Sequence, residues 1–105
     1  MTAELIDGVA IARQVRADVA LGIEKFAYEY GITPGLATVL VGDNSASQTY
    51  VRAKRKACAE VGIESYGHHL SSTSTQHEVE VLVRKLNEDE RVHGILVQLP
   101  LPKRM

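Results

Sequence analysis

Residues 36–61 read Leu36-Ala37-Thr38-Val39-Leu40-Val41-Gly42-Asp43-Asn44-Ser45-Ala46-Ser47-Gln48-Thr49-Tyr50-Val51-Arg52-Ala53-Lys54-Arg55-Lys56-Ala57-Cys58-Ala59-Glu60-Val61. The first six form a nearly unbroken apolar run, the pattern of a strand covered on both faces rather than one. Gly42 and Asp43 end that run. Ser45 and Gln48 then have the spacing of a capping box, in which two side chains satisfy backbone donors at a helix start. A helix is expected from there to about Val61, closed by Gly62. A buried strand that turns through glycine into a capped helix opens a parallel strand–helix–strand unit.

The flanking segments extend this pattern. Upstream, from Asp7, the residues Ile11, Val15, Val19, Ile23, Phe26 and Tyr30 recur every three or four positions and draw a stripe along a long helix. Gly31 stops it, and Thr33-Pro34-Gly35 makes a turn into the strand. Downstream, Ile63 to Leu70 has strand character, with Tyr66, His68 and His69 implying a less buried position. Ser71 to Thr75 is a polar linker. Thr75 and Glu78 form a second capping box ahead of Val79, Leu82, Val83 and Leu86 at helical spacing. His93-Gly94 leads into a short apolar strand, Ile95-Leu96-Val97, and Pro100 and Pro102 prevent further pairing. Helix, strand, helix, strand, helix, strand in alternation predicts an α/β fold: a three-layer α/β/α arrangement around a mainly parallel sheet with right-handed crossovers.

With 105 residues, 45% of them hydrophobic, the chain suits a single domain, residues 1–105. A formal charge of −1, with acids and bases interspersed, gives no electrostatic reason for a nucleic-acid or membrane partner. A small-molecule partner fits better. Cys58 is the only cysteine, so no internal disulfide forms, and a reducing, cytoplasmic location is expected. No apolar run approaches a membrane span, and Met1-Thr2-Ala3-Glu4 is not the start of an export signal.

In open parallel sheets ligands bind beyond the carboxyl ends of the strands, so the residues after Val41 and Val97 carry the functional interest. Tyr50 and Lys54 are four apart and share one helical face. A phenol ring beside an amine suits a flat heterocycle and the movement of a proton. Arg52, Arg55 and Lys56 surround Lys54, and neighbouring positive charge, like burial, favours the neutral amine. Spacing alone equally describes a solvated basic helix face with Tyr50 packed on the core, and that is the commoner arrangement. Gln98, an amide at the abrupt end of an apolar strand, can both donate to and accept from a ligand or Lys54. It can equally satisfy the loop backbone.

Other residues offer less. His68, His69, His77 and His93 lack the spacing of a metal set. Cys58 has no activating partner and reads as a small buried hydrophobe. No Gly-x-Gly-x-x-Gly follows any strand, so no dinucleotide is bound by that device.

The stretch Val41-Gly42-Asp43 through Ser47, Tyr50, Val51, Lys54 and Lys56, followed by Gly62-Ile63, closely resembles a signature of the methylenetetrahydrofolate dehydrogenase/methenyltetrahydrofolate cyclohydrolase family. Gly94-Ile95-Leu96-Val97-Gln98-Leu99-Pro100-Leu101-Pro102 resembles its second signature, and Ile6-Asp7-Gly8 also matches. The resemblance spans essentially the whole chain. It implies the amino-terminal, amino-acid-dehydrogenase-like catalytic domain of an enzyme that oxidises 5,10-methylenetetrahydrofolate to the methenyl cation and hydrates that cation to 10-formyltetrahydrofolate. By the same resemblance Lys54 acts in acid/base steps, Tyr50 packs on the pterin, and Gln98 hydrogen-bonds Lys54 and helps set its protonation. Val51, Arg52, Ala53, Val97, Leu99 and Ser47 are implied as further substrate contacts.

The resemblance also implies a homodimer, and a cofactor, NADP or NAD, bound by a dinucleotide-binding domain that this chain lacks. A family aspartate that contacts the pterin has no counterpart before Met105. Dehydrogenase activity is therefore expected to be missing from these residues alone. A stand-alone folate-binding or regulatory module without turnover is the alternative that retains Tyr50, Lys54 and Gln98. A scaffold of the same fold with another substrate is a third.

Overall fold

The computed structural model describes residues 3–105. Six elements follow in the expected alternation: α1 (Gly8–Tyr30), β1 (Gly35–Val41), α2 (Ser45–Val61), β2 (Glu64–Leu70), α3 (Gln76–Glu88) and β3 (Gly94–Val97). The sheet is wholly parallel in the order β2-β1-β3. Gly35 to Val41 pair with Glu64 to Leu70 on one side, and Leu36 to Val39 pair with Gly94 to Val97 on the other.

β1 is the central strand, and every residue of it except Leu36 is buried. Ala37, Val39 and Val41 face α3, where Val79 and Leu86 complete a core flanked by Tyr66, Leu82, Ile95 and Val97. Thr38 and Leu40 face the other way, toward Val51 of α2. The sheet is thus the middle of three layers, as the alternation implied. Each fully buried Val or Leu in such a core contributes about 1.5–3 kcal/mol. β2 is an edge strand with alternating exposure, matching its mixed composition, and the Arg91 guanidinium lies 5.1 Å over the Tyr66 ring.

Two expectations need revision. The cap of α2 is Asn44, not Ser45: Asn44 is extended (φ −60, ψ 119) and its side chain accepts from the Ser47 amide at 2.9 Å. Asn44 already occupies the capping geometry, so Ser45 enters the helix as its first residue. The box at Thr75 does hold on its capping side, with Thr75 Oγ1 accepting from Glu78 N at 3.1 Å.

The second revision concerns α1. Its boundaries agree with the periodicity, with Asp7 as N-cap and Gly31 as a left-handed C-cap. Yet none of its residues is buried, and Ile11, Val15, Val19 and Phe26 all remain exposed. Within this chain α1 touches α2 near Ile23 and Gly62 and projects beyond the layered body. The radius of gyration is accordingly 16.8 Å, against about 13 Å for a compact chain of this length. An apolar stripe specifies which face of a helix wants cover. It does not supply the cover.

The join between β1 and β3 depends on Gly35. His93 Nδ1 accepts from Gly35 N at 2.9 Å, and His93 N donates to Gly35 O at 2.8 Å. A Cβ on residue 35 would stand 2.0 Å from the Arg91 carbonyl oxygen, a backbone atom that cannot step aside. Gly35→Ala is therefore expected to cost at least about 1–3 kcal/mol, lowering Tm by roughly 4–8 °C for each kcal/mol in a domain of this size. Thermal unfolding checks it. In urea unfolding, Asn44→Ala is expected to cost about 1 kcal/mol, while Ser45→Ala leaves stability nearly unchanged; the reverse order would restore Ser45 as the cap.

Candidate functional site

The carboxyl ends of β1 and β3 lie side by side, since Gln98 N donates to Val39 O at 2.9 Å and extends the β1–β3 ladder one residue further. From β1 the chain turns at Gly42 (φ 97) into α2. This brings the first half of α2 beside the segment after β3, joining two stretches more than forty residues apart in sequence.

The join is made by side chains. Lys54 Nζ donates to Gln98 Oε1 at 2.6 Å. Gln98 Nε2 donates to Leu99 O at 2.9 Å, and Ser47 Oγ donates to the same carbonyl at 3.3 Å. Ser47 is only 1% exposed. The Leu99 carbonyl therefore receives two donors and fixes the proline-rich segment against the start of α2; the Leu99–Pro100 peptide within it is cis. Gln98 thus bonds both Lys54 and the loop backbone at once. No carboxylate pairs with Lys54 among the described residues. Its side-chain partner is a neutral amide, which can accept from an amine or an ammonium alike.

Tyr50 stands one turn before Lys54 on α2 and is 57% exposed; Leu99, next to Gln98, is 66% exposed. Lys54 is exposed too. Lys54 is not buried, because none of the described residues packs over the Tyr50–Lys54 flank of α2. Ala53 is exposed, and Val97 is half-buried within β3. Val51 and Arg52 do not converge on Lys54 and Gln98. They line a cavity on the other flank of α2, against β1 and β2.

Residues 6–105 match the family described as "Tetrahydrofolate dehydrogenase/cyclohydrolase, catalytic domain". The chain belongs to this family. It is 52% identical over 101 residues to the "Bifunctional protein FolD" of Magnetococcus marinus, covering 96% of this chain and 35% of that protein. Among solved structures it is similar to the bifunctional FolD of Campylobacter jejuni, with 48% identity, a TM-score of 0.88, and coverage of 92% of this chain and 34% of that one. It is also similar to FolD of Trypanosoma brucei, complexed with NADP cofactor and inhibitor, at 40% identity and a TM-score of 0.92, covering 100% of this chain and 36% of that one. The chain thus spans about a third of the length of the relatives it matches.

The remaining candidates have plain structural places. His93 is the Gly35 acceptor already described, and His69 Nε2 lies 2.7 Å from Gly42 O. No cluster of three or more metal-ligating side chains occurs among the described residues, and none of their helices is long and apolar enough to cross a membrane. Cys58 is buried in α2 and burial pushes its thiol up from its ordinary value. The thiolate is the reactive form, so Cys58 is expected to react slowly with a disulfide reagent in buffer and many-fold faster once urea unfolds the chain. Equal rates in the two conditions would mark it as an accessible nucleophile.

Proposed function

We propose that this chain is the folate-binding catalytic part of a bifunctional enzyme that oxidises 5,10-methylenetetrahydrofolate to 5,10-methenyltetrahydrofolate and hydrolyses that product to 10-formyltetrahydrofolate. The observation that supports it best is the 2.6 Å contact of Lys54 Nζ with Gln98 Oε1 at the adjoining ends of β1 and β3, one helical turn from an exposed Tyr50 ring. Family membership supplies the reaction class.

In this reading the exposed Tyr50 ring is a stacking surface for the pterin, and the exposed Leu99 side chain with Val97 forms an apolar wall beyond β3. Ser47 holds the Leu99 carbonyl, and so the wall, in place. Gln98 fixes the Lys54 amine in position in either protonation state. Hydration of the methenyl carbon forms a carbon–oxygen bond and releases a proton, which the neutral Lys54 amine takes. Collapse of the adduct turns its C–OH into the formyl C=O, breaks the bond from that carbon to N5, and releases the hydroxyl proton to solvent, while the same amine returns its proton to N5. Val51, Arg52 and Ala53 contribute by packing and placing this stretch of α2 rather than by meeting the pterin.

A bound nicotinamide cofactor, NADP or NAD, would supply the hydride acceptor for the oxidation. The residues of this chain do not fit a dinucleotide: the start of α2, the natural place for a pyrophosphate, is capped by Asn44 and preceded by the acid Asp43. The cofactor is therefore assigned to another part of the enzyme, which also covers Lys54 and Tyr50, excluding water from the proton transfer. A cytoplasmic homodimer is the assembly proposed for the whole enzyme.

The openness of Tyr50 and Lys54 favours one further reading, binding without turnover by these residues alone. Calorimetric titration of the 105-residue chain with 5-formyltetrahydrofolate decides on binding, and Tyr50→Ala is expected to weaken it about tenfold through loss of stacking and buried area. Hydrolysis of methenyltetrahydrofolate, followed by absorbance in a full-length member of the family carrying this domain, is expected to fall by about 10²–10⁴-fold in Lys54→Met. Unchanged hydrolysis there would remove Lys54 from the mechanism. Absence of binding by both the folded 105-residue chain and the full-length protein would refute the folate assignment.

A further inference from the structure

The flank of α2 turned away from Lys54 holds a half-open cavity of about 210 Å³ between the helix and strands β1 and β2. Gln48, Val51, Arg52 and Arg55 reach it from α2, at the spacing of one helical face, and Gly67 and His68 from β2. Its floor is Thr38, in the middle of β1 and 1% exposed, whose Oγ1 has no hydrogen-bond partner. Buried hydroxyls are rarely left so, because the loss of water is uncompensated.

The walls are basic and unneutralised. Arg52 and Arg55 form no salt bridge among the described residues, where the ion pairs are His69–Asp43 and Arg91–Asp89. Gly67 makes space for the Arg55 guanidinium: a Cβ there would lie 3.1 Å from Nη1 and 3.3 Å from Cζ. The group is thereby laid along the cavity wall. His69 also lines the cavity, with its Nε2 engaged with the Gly42 carbonyl and 3.9 Å from Asp43, and no acid lines it.

We propose that this cavity binds a small oxyanion of the phosphate class, its oxygens accepting from the Arg52 and Arg55 guanidiniums and, directly or through one water, from the Thr38 hydroxyl. Planar guanidiniums suit tetrahedral oxyanions through paired, charge-assisted hydrogen bonds. The orphaned hydroxyl at the floor gains the partner it lacks. This site is separate from the one built around Lys54 and Gln98, and it does not depend on the folate assignment.

Inorganic phosphate titrated into the chain by calorimetry at low, constant ionic strength is expected to bind saturably at one site and to shift the amide signals of Gly67 and His68. Arg55→Gln is expected to weaken binding about tenfold or more, as for loss of a charged hydrogen-bond donor. Thr38→Val, which preserves shape, is expected to weaken it several-fold while leaving the chain folded. Lys54→Met is expected to leave phosphate affinity unchanged. Glycerol phosphate binding tighter than the free ion assigns the site to a phosphorylated metabolite, and the reverse order assigns it to phosphate itself; both support the proposal. It is overturned by no saturable binding to the folded chain, by equal binding in Arg55→Gln, or by loss of binding in Lys54→Met, which would put the ion on the opposite flank. Equal affinity in Thr38→Val would remove the hydroxyl from the site.

Discussion

Everything in this molecule is hung on β1. Among the described residues it is the only strand with a partner on both edges and layers on both faces. A strand in that position has no freedom of register, because each residue is claimed by two ladders and one of two packed faces. Gly35 sets the register at its start, where the backbone of Arg91 and the ring of His93 close against it. At its other end the strand delivers Gly42 to the turn and, through the Val39–Gln98 hydrogen bond, holds the segment after β3 alongside. The meeting of Lys54 with Gln98 follows from these two anchorings.

The two flanks of α2 then acquire different chemistry from one helix. Ser47 and Lys54 turn toward the end of β3, where a backbone carbonyl and an amide receive their donors, and Tyr50 stands exposed one turn before Lys54. Gln48, Val51, Arg52 and Arg55 turn toward β2, where a glycine and a buried hydroxyl leave room. The first flank is open and apolar at its margin, matching the proposed role of holding a flat heterocycle. The second is basic and half-open. An i, i+3, i+4 periodicity places these groups with no further instruction, but which neighbours they meet is decided by strand order.

Exposure separates what this domain builds from what it leaves unfinished. The β1–α3 core is buried, whereas the apolar stripe of α1 is largely exposed, as are Tyr50 and Leu99. Apolar surface of that extent is uncommon on a free-standing monomer. It is consistent with a domain that matches only about a third of its relatives' length.

By sequence alone the chain already yields the six elements in order, the parallel sheet, the cover on both faces of Leu36 to Val41 and the less buried character of Ile63 to Leu70. These are local or periodic properties: apolar runs, helical spacing, capping residues and glycines are written in neighbouring positions. The two motifs around Tyr50–Lys54 and Val97–Leu99 were legible too, and with them the family. Three things were decided only by the fold. Asn44 displaced Ser45 as cap because backbone geometry at the turn, rather than residue type, selects among adjacent capping residues. The stripe of α1 stayed uncovered because a pattern states a need for burial without naming the partner. The cavity that Thr38, with its unpaired hydroxyl, shares with Arg52 and Arg55 was invisible because those residues come from different elements, and the fold alone brings them together.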